Sequence, residues 1–181
     1  KFEVSKYIPF PLDELTYSFH PVFISNDNAK RYRIIFVAIR KEITENHISL
    51  LKDAAIDVQM IEPSAMSLIR LLKFNNLIPE DKPAAMVELT GLSGKIIVIH
   101  QLIPHFVREF KLSIGQPGTE TADMGALYTR LMNEIRISLD YFGRQDNQIL
   151  IKDLFLIGKK DSSTDFEKKL ENDLDIHTKI I

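Results

Sequence analysis

Between Leu15 and Ala55 the apolar residues change their spacing twice, which confines the chain to folds that mix strands with helices. Leu15, Tyr17 and Phe19 alternate with Thr16, Ser18 and His20, the period of a half-buried strand. Arg33 to Ile39 is a near-continuous apolar run rich in branched residues and predicts a central strand. From Lys41 to Ala55, Ile43, His47, Leu50, Leu51 and Ala54 recur at spacings of three and four, with charges opposite. That predicts an amphipathic helix. Val58 and Met60, with Gln59 between them, predict a further strand.

Pro63 suits the first turn of a helix over Ser64 to Phe74, with Met66, Ile69, Leu71 and Leu72 on its buried side and Asn75-Asn76 at its end. Pro79-Glu80-Asp81-Lys82-Pro83 is short, polar and proline-bracketed, so a boundary between two modules is expected there. Ala84 to Leu89, Lys95 to Gln101 and Phe106 to Leu112 predict a three-stranded meander. Its turns are expected at Gly91-Leu92-Ser93-Gly94 and at Leu102-Ile103-Pro104-His105. Ser25 to Asn28 and Gly115 to Gly118 read as turn and loop. Thr119 to Phe142 predicts a long helix, with Leu127, Leu131, Ile135 and Leu139 four apart. A strand over Leu154 to Ile157, a helix over Thr164 to Leu174 and a strand from Ile176 complete the chain. The sum is an α/β chain with α+β elements: a β-β-α-β unit, a linking helix, a meander, then α-β-α-β.

Composition narrows the function. With 23 basic and 25 acidic side chains the net charge is -2. A general nucleic-acid binder needs a basic excess to release counterions, so no nucleic-acid partner is expected. Cysteine is absent, which excludes disulfides, cysteine-built zinc sites and a thiol nucleophile. The longest apolar run, Ile34 to Ile39, is far short of the roughly 20 residues that span a bilayer. The chain opens on Lys1 rather than Met, and Lys179-Ile180-Ile181 reads as a strand cut in mid-course, so further segments are expected outside it.

Few residues suggest chemistry. Gly91-Leu92-Ser93-Gly94-Lys95 fails as a P-loop, because Leu89 and Ile96 stand where a glycine and a hydroxyl are required. It reads as a hairpin turn, or as a turn whose backbone N–H groups face an anion. His100 and His105 flank a turn but lack a third zinc ligand nearby. Glu120, Glu134 and Asp140 read as solvated face or helix caps. Lys159-Lys160 and Asp161 to Asp165 read as an exposed cation pair and a helix start, or as a ligand-facing loop after a strand. No nucleophile-base pair and no metal cluster emerges, so no catalytic residue is assigned.

Four strings, in order, resemble one family. Lys6-Tyr7-Ile8-Pro9-Phe10-Pro11-Leu12-Asp13-Glu14 resembles the opening of the second subdomain of the type IV pilus assembly protein PilM. Phe36-Val37-Ala38-Ile39-Arg40-Lys41-Glu42 is similar to its "VAARKE" signature, and Asp57 to Ser67 to its "V-x-V-E-P-x-A-x-A" string. Asn133 to Phe142 is similar to "REIRRSLDYF". That family is actin-like and related to the cell-division protein FtsA. The resemblance implies part of an actin/hsp70-like ATPase fold. Residues 1–62 would be the inserted FtsA-type subdomain, 63–83 an interdomain helix and linker, and 84–181 the second large lobe. A first lobe would precede Lys1.

The resemblance also locates a nucleotide site, at Glu88, Thr90, Gly91, Ser93, Gly94 and Gly158. The family's second phosphate loop reads roughly "V-D-I-G-x-x-x-T"; here Thr90 replaces the glycine, Gly94 the threonine and Glu88 the magnesium-facing aspartate. The adenosine loop "L-S-G-G-G-A" keeps only Leu156 and Gly158. The stretch from Leu112 to Thr119 is too short for the subdomain that covers the nucleotide. A β-carbon closes space that glycine leaves to a phosphate, and magnesium tolerates little distortion. The expectation is a degenerate, non-catalytic scaffold of a pilus or secretion platform, with no cofactor and no metal. It would lie in the bacterial cytoplasm against the inner membrane. Its partners would be the cytoplasmic tail of a PilN-like protein, other platform components and further copies of itself. The alternatives are an active PilM-type ATPase holding Mg-ATP and the cytoplasmic part of a GspL-type secretion protein.

Overall fold

The computed structural model describes residues 8–26, 29–112, 124–145, 149–158 and 164–181. Two compact units divide between Pro63 and Ser64.

In the first unit a 3-10 turn over Leu12–Glu14 leads into strand β1 (Leu15–Asn26), which pairs antiparallel with β2 (Ala29–Arg40). The run expected to form a central strand thus has one partner, and Ile34 is 61% exposed. Continuous apolarity does not separate a strand flanked on both sides from one in a ribbon. Asp27 and Asn28 of the expected turn lie outside the described residues. Helix α1 (Lys41–Asp53) follows directly. It ends where Ala55 takes a φ of 59° and Ile56 N–H donates to the Leu51 carbonyl, a closing motif usually built on glycine. Its apolar stripe is only partly covered: Leu50 is 69% exposed. The strand expected at Val58–Met60 is absent, because no strand pairs with it among the described residues.

In the second unit helix α2 (Ser64–Phe74) buries Ala65, Ile69 and Leu72 but leaves Leu71 and Phe74 exposed. Asn76, at a φ of 51°, closes it with Leu77 N–H donating to Leu72. Pro79–Pro83 lies inside this unit, held between buried Ile78 and Ala84. Strands β3 (Ala84–Thr90), β4 (Ser93–His100) and β5 (Ile103–Lys111) form the meander. The second turn falls at Gln101-Leu102, earlier than expected; both residues adopt positive φ without a glycine to mark it. Helix α3 (Met124–Gln145), β6 (Asp153–Ile157), α4 (Thr164–Leu174) and β7 (His177–Ile180) complete the unit.

The sheet order is β5-β4-β3-β6-β7, with β6 parallel to both β3 and β7. Successive side chains point to opposite faces. Val87, Ile96, Leu154 and Leu156 therefore pack with Leu131 and Ile135 of α3 and Leu170 of α4. Met86, Ile97, Ile99 and Phe155 pack on the other face with Ile69 and Leu72 of α2. The two helices α3 and α4 are tied by Tyr128, whose hydroxyl donates to Asp173 at 2.5 Å. Burial, and then that hydrogen bond, holds the phenol well above the usual tyrosine range.

Candidate functional site

The β3–β4 turn sets the register of the predicted phosphate loop. Gly91 takes a φ of 59° at the first central position of a two-residue turn, where glycine is favoured. Thr90 then faces Ser93, Leu89 faces Gly94, and Glu88 faces Lys95. On the next strand the register shifts by one between Val98 and Ile99, with His105 as the extra residue of β5. The shift has large consequences. It puts Glu109 opposite Lys95, and it puts Arg108 opposite Ile96 on the other face.

On the α2 face, Glu88, Lys95 and Glu109 form a charged row across three strands. Lys95 Nζ lies 3.7 Å from Glu88, 3.4 Å from Glu109, and donates to Ser64 Oγ at 2.7 Å. On the α3 face, Arg108 donates to Glu134 Oε2 at 2.7 Å and to Ser138 Oγ at 2.8 Å. Arg130 Nε lies 3.2 Å from the other Glu134 oxygen. Glu134, read above as solvated or capping, is therefore a buried ion-pair residue at 7% exposure. Helical periodicity does place it beside Ile135, but nothing in the sequence announces the arginine from β5. Asp140 is exposed as expected, and Glu120 lies outside the described residues.

Glu88, Thr90, Ser93 and Gly94 line one cavity of about 320 Å³, together with Lys95, Glu109, Phe110 and Lys111. Gly91 and Gly158, predicted with them, do not line it. A β-carbon at Gly158 would make only an ordinary 3.8 Å contact with Leu89. At Gly94 it would lie 2.3 Å from the Phe110 ring, so the missing side chain is filled by an aromatic ring. Gly94→Ala is accordingly expected to lower stability by about 1–3 kcal/mol through overpacking. Chemical denaturation would show it, and an unchanged midpoint would mean the ring has room to move.

The imidazoles of His100 and His105 sit 5.4 Å apart, and among the described residues no three potential metal ligands gather. Lys159 to Ser163 lie outside the described residues. No helix among the described residues is long and apolar enough to cross a membrane.

The first unit holds a larger, mostly apolar groove of about 590 Å³ between β1, β2, α1 and the segment 58–63. Val37, Ile39, Ile48, Val58, Met60 and Ile61 supply most of its wall. A second cavity of about 450 Å³ shares Ile39, Ile48 and Met60 and extends along α1 to Ile43, His47 and Leu51.

The fold is part of an actin-like ATPase fold. A Bacteroides thetaiotaomicron protein described as having an actin-like ATPase fold and unknown function superposes with a TM-score of 0.51 at 10% identity, over 99% of this chain and 58% of its own. A structure of a PilM-PilN type IV pilus biogenesis complex superposes with a TM-score of 0.75 at 17% identity, over 99% of this chain and 60% of that one. The chain thus spans about three fifths of the length of these relatives. No curated protein matches in sequence. The sequence model of the family "Type IV pilus assembly protein PilM" matches residues 1–116, and the chain belongs to that family.

An ATPase fold implies magnesium and a nucleotide. Two features of the loop bear on such a ligand. The Phe110 ring occupies the space that Gly94 leaves, and the Glu88 carboxylate faces the Lys95 ammonium.

Proposed function

We propose that this chain is a non-catalytic, actin-like scaffold of a type IV pilus or related secretion platform. Its Lys1–Pro63 unit docks the cytoplasmic tail of a PilN-like protein, which holds it against the bacterial inner membrane. The observation that carries the reading is the apolar groove of about 590 Å³ in that unit. The family assignment covers the whole of this unit, and a relative is described in complex with PilN. An extended tail can place alternate side chains into such a groove and offer its backbone to an extended segment beside it. Residues 58–61 are such a segment, and no strand pairs with them among the described residues.

The test is titration of a fluorescent peptide, the cytoplasmic tail of the PilN-like protein, followed by anisotropy. Ile48→Asp and Met60→Asp are each expected to weaken binding about tenfold or more, a cost of about 1.4 kcal/mol. Unchanged affinity in both variants would remove the groove from the reading. Absence of binding to the unaltered chain would remove the docking role.

A further inference from the structure

We propose that Lys95 is a built-in substitute for the divalent cation of this fold. Its ammonium offsets carboxylate charge at the phosphate loop from within, so that the loop keeps its shape without magnesium or nucleotide. The proposal rests on the non-catalytic reading of this site.

The argument starts from register. A two-residue turn at Gly91-Leu92 forces Glu88 and Lys95 to face each other across β3 and β4. The bulge at His105 then advances β5 by one residue. Without it, Arg108 would stand opposite Lys95, and like charges directly opposite are destabilising. With it, Glu109 stands there, and the row alternates in sign across three strands. Ser64, the first residue of α2, closes the row by accepting a hydrogen bond from Nζ at 2.7 Å. Lys95 thus has three oxygen partners, from β3, β5 and α2. A divalent cation at the Glu88 carboxylate would meet a resident positive charge, and that repulsion grows as the site is desolvated. Glu88 and Lys95 are each about three quarters buried, so the repulsion is felt at Glu88, whereas Glu109 is 76% exposed and solvent screens its share. Lys111, on the same cavity, adds a second cation to the wall.

Lys95→Met removes the ammonium while keeping much of the stem. Glu88 and Glu109 then lose their shared counter-charge, and the carboxylate pair becomes a candidate ligand for a hard cation, which takes oxygen donors. The experiment is thermal unfolding and calorimetry with magnesium alone and with Mg-ATP. It uses the unaltered chain, Lys95→Met, Lys95→Arg and the triple variant Lys95→Met/Glu88→Gln/Glu109→Gln. The unaltered chain and Lys95→Arg are expected to show no cation-dependent shift. Lys95→Met is expected to unfold at a lower temperature and to regain part of the loss in millimolar magnesium, binding it about tenfold or more tightly than the unaltered chain. The triple variant is expected to ignore the cation.

A magnesium- or Mg-ATP-dependent rise in the unaltered chain would overturn the proposal, whether or not any variant folds. So would a Lys95→Met protein that folds and binds magnesium no better than its parent. The PilN-tail titration on the same proteins separates the two readings. Lost tail binding with the expected cation behaviour sinks docking and leaves the Lys95 assignment standing. Retained tail binding with a Mg-ATP response in the unaltered chain does the opposite.

Discussion

Leu72→Ala is expected to cost about 2–5 kcal/mol, the range for truncating a fully buried leucine. Leu72 has no exposed surface and lies in the cluster formed by Ile69, Met86, Ile97, Ile99 and Phe155. The loss has two parts. One is the burial free energy that the deleted methine and two methyl carbons had contributed. The other is the cavity left among branched side chains on a rigid sheet, which close over it poorly. The position of the change is informative as well as its size. Leu72 stands on α2, the helix read from sequence as a link between modules, yet its neighbours all belong to the second unit. Hydrogen exchange should therefore show lost protection in β3, β4 and β6, with β1, β2 and α1 unaffected. Equal loss in both units would mean that the two fold as one cooperative block.

Glu134→Ala is expected to cost about 2–3 kcal/mol. The carboxylate is buried, and its removal strips two arginines of their counter-charge at once. Breaking a fully buried pair costs about 3–5 kcal/mol, and the figure here is set lower because both guanidinium side chains reach water, although the Nε of Arg130 that faces Glu134 is itself buried. Arg108 is 36% exposed and Arg130 41%. Ser138 limits the damage further, since its hydroxyl still accepts from Arg108. A double-mutant cycle with Arg108→Met measures the pair itself. If Glu134→Ala and the double variant are equally stable, Arg108 has no unfavourable effect once its partner is gone. If the double variant is the more stable, the orphaned guanidinium accounts for the difference.

Most elements were legible in the sequence because their patterns are local. The leucines and isoleucine at 127, 131, 135 and 139 predicted α3, and all four join the same core. The glycines at 91 and 94 predicted the first hairpin, but its turn takes only Gly91 and Leu92 instead of the four residues expected, so Glu88 faces Lys95 where the longer turn would have set Thr90 there. What escaped depends on contacts between distant segments. Gln101 and Leu102 adopt positive φ with no glycine or asparagine to mark them, so the second turn was placed late. The bulge at His105 is silent in sequence, and it alone decides that Arg108 reaches α3 while Glu109 reaches Lys95. Val58 and Met60 have the alternation of a strand, but alternation describes two faces and says nothing of a neighbour at the edge. At the loop, four of six expected residues share a cavity because they flank one turn; Gly158 follows β6 and does not join them.

Leu15 and Arg40 stand opposite each other at the base of a two-stranded ribbon. Tension that draws those two residues apart acts along the interstrand hydrogen bonds, which run perpendicular to antiparallel strands. The bonds then load one after another, and the ribbon peels open like a zip. Tension drawn lengthwise along the parallel pair of β3 and β6 loads its bonds together, in shear. A pull entering at Leu15 and Arg40 would therefore be spent on opening the ribbon, a weak spring that yields while the five-stranded sheet keeps its shape.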